Sequence, residues 1–329
     1  MKRMIIAICL STLFCLGIVG GQEEQAWYKG NTHTHTVNSD GDSTPDEVAR
    51  WYKEHGYHFL VLSDHNFLTE VSGLNTIFGA REKFLLIAGE EVTDSFEQKL
   101  IHINGLNIPT MIAPQHGSSV VETLQNNIDA IRQHKGVPHI NHPNFRWSLT
   151  AKDIQQLKNN KLFEIYNGHP STQDWGGGGS DSLEAMWDKI LSSGKLIYGI
   201  AVDDAHHFKG EFAPGRSNPG RGWVAVRANQ LSPLAIMEGL ETGQFYASTG
   251  VSLADVRVDS DGIEITIQEK PYFKYTTYFI GDGGRLLSKA YGLKVRYQFD
   301  GSEKYVRSRI VDSLGDIAWT QPVLVSQAR

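Results

Sequence analysis

Residues 31–66, NTHTHTVNSDGDSTPDEVARWYKEHGYHFLVLSDHN, allow few folds. His33 and His35 are two apart, so on an extended strand both imidazoles point to one face. Asp40 follows in Ser39-Asp40-Gly41, a turn that can fold a carboxylate back toward that face. Thr44 as N-cap, Pro45 at the first helical position and Glu47 closing a capping box predict a helix start. Val48, Trp51 and Tyr52 form its apolar stripe, and Gly56 is its stop. Phe59-Leu60-Val61-Leu62 then reads as a second strand, ending in Ser63-Asp64-His65. In parallel α/β folds such strand ends open on a common crevice. Ordinary polar strand ends would explain two such residues. Five of them, His33, His35, Asp40, Asp64 and His65, point to a metal.

At 329 residues the chain can form one large domain or two. With 40% hydrophobic and 21% charged residues it has the composition of a soluble globular protein. Residues 1–21 read as a secretory signal peptide: Lys2 and Arg3 precede an apolar run over 4–19, followed by Gly20-Gly21. A transmembrane anchor is the competing reading, but the run is short and broken by Ser11 and Thr12. Bulky Phe14 argues against lipid attachment at Cys15. The expectation is a periplasmic or secreted protein with no membrane contact after cleavage. Losing Lys2 and Arg3 moves the formal charge from −6 to −8, leaving 29 basic against 37 acidic residues. No basic stripe stands out, which argues against nucleic acid as a partner. Both cysteines, Cys9 and Cys15, lie in the leader, so the mature chain has no disulfide and no thiolate chemistry. All 13 histidines fall between His33 and His207, and the last 122 residues have none. That split suggests two parts with different jobs.

Further apolar segments end in ligand-type residues. The run 84–88 leads into Gly89-Glu90-Glu91, and 100–103 places His102 opposite Ile101 and Ile103. Residues 119–134 have helical spacing through Val120, Leu124, Ile128 and Ile131. Val137-Pro138-His139-Ile140 leads into Asn141-His142-Pro143. A helix is expected over 153–159, a strand over 162–166 carrying Glu164 and ending in Asn167-Gly168, and a helix over 181–193 after four glycines at 176–179. The strand over 196–202 ends in Asp203-Asp204-Ala205-His206-His207. Strands alternating with helices indicate parallel βαβ units, and at least six strands suggest a barrel. After the helix over 233–242 the pattern changes near Gly250. Short alternating segments at 256–258, 263–267, 276–280, 293–299, 305–311 and 323–325, punctuated by Asp-Gly and Gly-rich turns, predict a small antiparallel β domain.

The candidate ligands are His33, His35, Asp40, His65, Glu91, His102, His142, Asp204 and His206. Nine exceed the need of one ion, since zinc usually takes about four ligands and manganese or iron about six. Imidazole and carboxylate without sulfur suit two or three divalent ions of zinc, manganese or iron. Taken together, His33-x-His35 with the Ser39-Asp40-Gly41 turn, Asp64-His65, Gly89-x-Glu91, His102, His142-Pro143 and Asp204-Ala205-His206 resemble the polymerase-and-histidinol-phosphatase (PHP) superfamily of metal-dependent phosphoesterases. The resemblance covers about 27–250. It implies a distorted (β/α)7 barrel with a trinuclear site at its C-terminal mouth, held by those nine residues. The His102 context and Ala318-Trp319-Thr320-Gln321-Pro322 resemble the branch that contains a carbamate hydrolase. The expected domains are therefore a 1–21 signal peptide, a 22–250 hydrolase barrel and a 251–329 sandwich-like β domain.

The Gly-x-Glu spacing selects Glu91 over Glu90, and Asp-x-His selects Asp204 over Asp203. Asp64 is read as orienting a neighbouring histidine. His139 is read as a core or supporting histidine, and His55, His58, His134 and His169 as solvent-facing or capping. His116 and His207 are read as surface residues. Ions lower the pKa of bound water, so a bridging hydroxide is available near neutral pH to attack phosphorus. His206 or a metal-held water would protonate the leaving group. Arg216 and Arg221 are candidates to clamp a phosphate, against a reading as surface arginines, and Asn167 is a candidate substrate contact. The leading expectation is an exported phosphoesterase acting on a small molecule. The alternatives are carbamate, ester or amide hydrolysis at the same metals, or a non-catalytic, metal-stabilised binding protein.

Overall fold

The structure, a computed structural model, describes residues 25–82 and 84–325; the expected signal peptide lies outside them. The first strand–helix–strand unit forms as β1 (Ala26–Asn31), α1 (Pro45–Glu54) and β2 (Phe59–Leu62). Thr44 N donates to Glu47 Oε2 at 2.9 Å at the start of α1, and Val48 and Tyr52 on its inner stripe are buried. There follow α2 (Ser72–Glu82), β3 (Leu85–Phe96), β4 (Lys99–Leu106), α3 (Val120–Gln133), β5 (Val137–Ile140), α4 (Ala151–Gln156), β6 (Leu162–Asn167), α5 (Leu183–Ser192), β7 (Tyr198–Val202), β8 (Trp223–Ala228), α6 (Pro233–Thr242) and β9 (Phe245–Ser248). Their sheet order is β9-β8-β1-β2-β3-β4-β5-β6-β7.

This is a mixed α/β arrangement. Strands β1, β2 and β3 are parallel, as are β5, β6 and β7, while β4 runs antiparallel to both its neighbours. The sequence shows an apolar run over 84–88 leading into Gly89-Glu90-Glu91. In the fold β3 continues through Glu91 to Phe96 and turns into β4 at Glu97, which takes a left-handed φ of 52°. Glu91 therefore sits within a ladder, opposite Asn104. At the mouth, β1 and β7 are joined beyond their ends: His35 N donates to Ala205 O at 2.9 Å and Asp204 N to His33 O at 3.1 Å. The expected alternation of strands and helices is thus interrupted by the β3–β4 hairpin and by antiparallel β8 and β9.

The C-terminal part contains β10 (Leu253–Asp259), β11 (Gly262–Ile267), β12 (Tyr275–Gly281), β13 (Arg285–Tyr291), β14 (Lys294–Gln298), β15 (Tyr305–Asp312), β16 (Ile317–Thr320) and β17 (Val323–Leu324). Strands β10, β11 and β14 make a separate three-stranded sheet. The others extend the first sheet, because β16 pairs with β9 through Ala318–Ser248, Trp319–Ala247 and Thr320–Tyr246. Strand pairing therefore does not stop at Gly250. The core follows the same continuity: Tyr305 and Trp319 are buried in one cluster with Val224, Ile236 and Phe245. Arg307 on β15 makes paired bonds to Asp188 on α5, Nε to Oδ1 at 2.8 Å and Nη2 to Oδ2 at 2.7 Å. Tyr305 Oη donates to the same carboxylate at 2.8 Å.

Candidate metal centre

The strand ends of the first sheet bring together four overlapping groups of ligand atoms. They are His35, Asp40, His65 and His206; His33, His142 and Asp204; His33, His35 and Glu91; and His65, Glu91 and His102. These groups contain all nine residues named as candidate ligands.

The local folding of each segment explains the convergence. His33 and His35 leave the end of β1 on one face, with Thr34 turned to Ala205 between them. Gly41 lets Asp40 turn back: a Cβ there would lie 2.7 Å from His35 O, and Gly41 N instead donates to Thr36 O at 2.9 Å. Asp64 does not orient a histidine. Its carboxylate accepts from Thr36 N at 2.7 Å, Ser39 Oγ at 2.8 Å and Thr69 Oγ1 at 2.6 Å, so it braces the loop that carries Asp40. Asp204 is held in a left-handed conformation, φ 48°, which few non-glycine residues adopt. Strain of this kind persists where neighbouring contacts fix it; here they are His33 O and the hydroxyl of Ser217, which donates to Asp204 O.

The distances suit ions. His33 Nε2 lies 3.1 Å from His35 Nε2, 3.1 Å from Glu91 Oε2 and 3.3 Å from Asp204 Oδ1. His35 Nε2 lies 3.2 and 3.1 Å from the same two oxygens. Bonds of about 2.0–2.2 Å to a central ion place neighbouring ligand atoms roughly 3.0–3.5 Å apart. Two imidazole nitrogens within that range of each other and of two carboxylate oxygens have the spacing of atoms that share a cation. His102 Nδ1 is a second sign: it is buried 2.9 Å from Glu91 Oε1 yet makes no aligned hydrogen bond. The donor set therefore fits divalent metal.

Supporting bonds fix the tautomers. His33 Nδ1 is 2.7 Å from Glu164 Oε1, so it donates there and leaves its Nε2 lone pair for a metal. His206 Nδ1 donates to Asp204 O at 2.8 Å, leaving Nε2 at 3.3 Å from Asp40 Oδ1. Without an ion, burial opposes protonation of His33, but Asp204, Glu91 and Glu164 outweigh it and hold its pKa well above the ordinary value, so a proton takes the place on Nε2 from which a metal would displace it. Glu91 and Asp204 are likewise pulled well below the carboxylate range by the histidines, despite their burial. Burial keeps His102 below its ordinary value and takes His139 down to about 4, so both are neutral imidazoles. His139 is fully buried and, among the described residues, its two ring nitrogens have no hydrogen-bond partner, as a core residue behind Glu164.

Glu164 carries no site signal in the sequence, because it sits inside an apolar strand. It is fully buried, and its Oε2 accepts from His142 N at 2.6 Å and Asn167 Nδ2 at 2.8 Å. Asn167 is not placed to touch substrate: its amide is spent on Glu164 and on Asp204 Oδ2, 3.1 Å away. Nor do the two arginines reach the cavity. Arg221 donates to Gly168 O and Ala213 O at 2.8 and 2.7 Å, tying two loops together, and Arg216 donates to Lys209 O at 3.1 Å. Asp203 serves that same frame, accepting from Tyr52 Oη, Arg221 N and Gly222 N. Glu90 faces away from the site, accepts from Ile112 N and is pushed by burial up to about 7.

The groups surround a cavity of about 230 Å3 lined by Asp40, His65, Glu91, His102, His142, Asp204 and His206, with Phe145, His169 and Thr172 completing the wall. His169, which the sequence suggests is solvent-facing or capping, lines the cavity, because the loop after β6 folds back over the strand end. A groove of about 610 Å3 lies at the opposite, N-terminal ends of β1 and β7, lined by Trp27, Tyr198 and Arg227 among others, and contains none of the ligand groups.

No family model and no curated protein matches the chain. Among solved structures, the chain is similar to a two-domain protein containing a predicted PHP-like metal-dependent phosphoesterase from Bacteroides vulgatus. The identity is 15%, the TM-score 0.52, and the match covers 87% of this chain and 90% of that one. An amidohydrolase from Chromobacterium violaceum, with bound sulfate and no metal, matches at 17% identity and TM-score 0.41 over 58% of this chain and 93% of its own. A candidate metal-dependent phosphoesterase from Bifidobacterium adolescentis matches at 14% identity and TM-score 0.38 over 57% and 89%. The first likeness spans both parts of the molecule, and the chain has the PHP-like fold.

Proposed function

We propose that the chain is a metal-dependent hydrolase of small-molecule phosphoesters, holding two or three divalent ions of zinc, manganese or iron. The observation that carries this reading is the set of four overlapping ligand groups around one open cavity at the strand ends. A site built only for structure closes its coordination and needs about four ligands. Ions bound here supply a nucleophile from water near neutral pH and neutralise charge on phosphoryl oxygens.

The chain's own residues do the rest. Glu164 sets the tautomer and direction of His33, and Asn167 fixes the second oxygen of Asp204, so that His33 Nε2 and Asp204 Oδ1 are turned to each other. Asp40, half exposed at the rim, is the carboxylate best placed to adjust as substrate enters. His206 donates its Nδ1 proton to backbone, which leaves Nε2 to accept metal or a proton. The barrel reading of the sheet, a 22–250 hydrolase unit with a 251–329 β domain, and export directed by residues 1–21 belong to the same proposal.

A second reading is hydrolysis of uncharged carbamates, esters or amides at the same cavity. One observation favours it: among the described residues no lysine or arginine lines the cavity. Elemental analysis of residues 22–329, paired with turnover of phosphomonoesters, phosphodiesters, carboxyl esters and carbamates, separates the readings. Two to three equivalents of metal, with phosphoester turnover abolished in a His35→Ala/Asp204→Ala variant, is the expected result. Turnover confined to uncharged esters would transfer the assignment to the second reading, and a chain that retains no metal after reconstitution would end both.

A further inference from the structure

Of the ten side chains lining the cavity, seven belong to the ligand groups; Phe145, His169 and Thr172 do not. Phe145 has no polar side-chain atom. Thr172 Oγ1 lies 2.8 Å from His169 O and 3.2 Å from Asn167 O, so its hydroxyl proton is used within its own loop. That leaves His169 as the lining side chain, outside the ligand groups, with a proton to offer.

Its geometry is fixed for that task. Ser171 N donates to His169 Nδ1 at 3.2 Å, which makes that nitrogen the acceptor and puts the ring proton on Nε2. The ring stands edge-on to His206, with centroids 5.4 Å apart. His169 N donates to Asn167 Oδ1 at 2.8 Å, and the amide of Asn167 is bonded to Glu164 and Asp204. One asparagine thus sets the position of the loop histidine relative to a metal ligand. A flexible surface histidine would have none of these constraints.

We propose that His169 Nε2–H binds a phosphoryl oxygen of the substrate, so that an uncharged donor does in this cavity what an arginine or lysine would otherwise do. The inference rests on the reading of the cavity as a phosphoester site. His169 would thereby be a catalytic residue outside the metal shell, supplied by the loop after β6.

The test is binding of inorganic phosphate to the metal-loaded protein by calorimetry, for wild type, His169→Phe and His169→Gln, with metal content measured on each sample. Losing a hydrogen bond to a charged group should weaken phosphate binding about tenfold or more in His169→Phe. His169→Gln, whose amide can still donate, should keep most of the affinity, and all three proteins should hold equal metal. With a phosphoester that wild type turns over, kcat/KM should fall in step with phosphate affinity. Unchanged phosphate affinity in His169→Phe with full metal would overturn the proposal, as would loss of metal from that variant. Wild-type protein that holds metal but binds no phosphate would instead overturn the phosphoester reading, and this inference with it.

Discussion

Asp174, in the loop below the cavity wall, has a carboxyl group that burial pushes up to about 7. It accepts from Asn167 N at 2.8 Å, a bond that its amide analogue can keep. An unfolded aspartate releases its proton near about 3.9. Between that value and 7 the folded state holds a proton that the unfolded state has lost, so folding is favoured at the acid end and the advantage disappears as pH rises through 7. Asp174→Asn should therefore match wild type near pH 4 and gain on it up to pH 7–8, by on the order of 2–4 kcal/mol in denaturant unfolding. A constant difference across that range would show that the carboxyl is ionised throughout. At this scale much of the site was legible. The His-x-His pair, the Ser-Asp-Gly turn and the Asp-x-His pair each combine a ligand type with a spacing that the backbone turns into a common direction. Glu164 and His169 had no such signal, since one sits in an apolar strand and the other in a loop whose fold depends on Asn167. Arg216 and Arg221 were misleading for the opposite reason: sequence shows the charge but not the backbone carbonyls that engage it.

The joint between α5 and β15 shows how elements lock together. Arg307 is 1% exposed, bonded twice to Asp188, within 3.2 Å of Glu184 Oε2, and stacked over Trp187 with 4.8 Å to its ring centroid. Removing one partner of a buried, paired charge leaves the other uncompensated, at a cost of about 3–5 kcal/mol. Arg307→Met should lower unfolding stability by that amount, and adding Asp188→Leu should recover part of the loss. A double variant no more stable than the single one would show that the pair is not coupled. Elements with strong local periodicity, α1, α3, α5 and α6, were legible to within a few residues. Helix α2 was not: Leu74, Ile77 and Phe78 have helical spacing, but three residues make a short signal, and of them Phe78 is buried while Ile77 stays exposed. Strands β13 and β16 were missed as well; β16 is four residues long, and β13 is largely exposed, so neither shows a clear buried alternation.

Across the whole molecule, three carboxylates and six histidines converge on one cavity, and bound ions would stabilise the folded chain by mass action. Stripping metal with a chelator should lower the melting temperature, and adding back the native ion should restore it. At a free ion concentration a thousand times Kd the effect is about 4 kcal/mol. A melting temperature indifferent to chelation and reloading would mean that no tightly held ion occupies the site. The pairing of β9 with β16 was beyond reach of a reading that placed a boundary near Gly250, since composition changes there while the hydrogen-bond ladder does not. The ligands come from residue 33 to residue 206, and no short stretch supplies a complete set. A nascent chain has only fragments of such a set, such as the pair at His33 and His35, until the segment with Asp204 and His206 has been added. On the proposed reading a full ligand set exists only in the finished fold, so the ion taken up would be set by the compartment in which folding is completed.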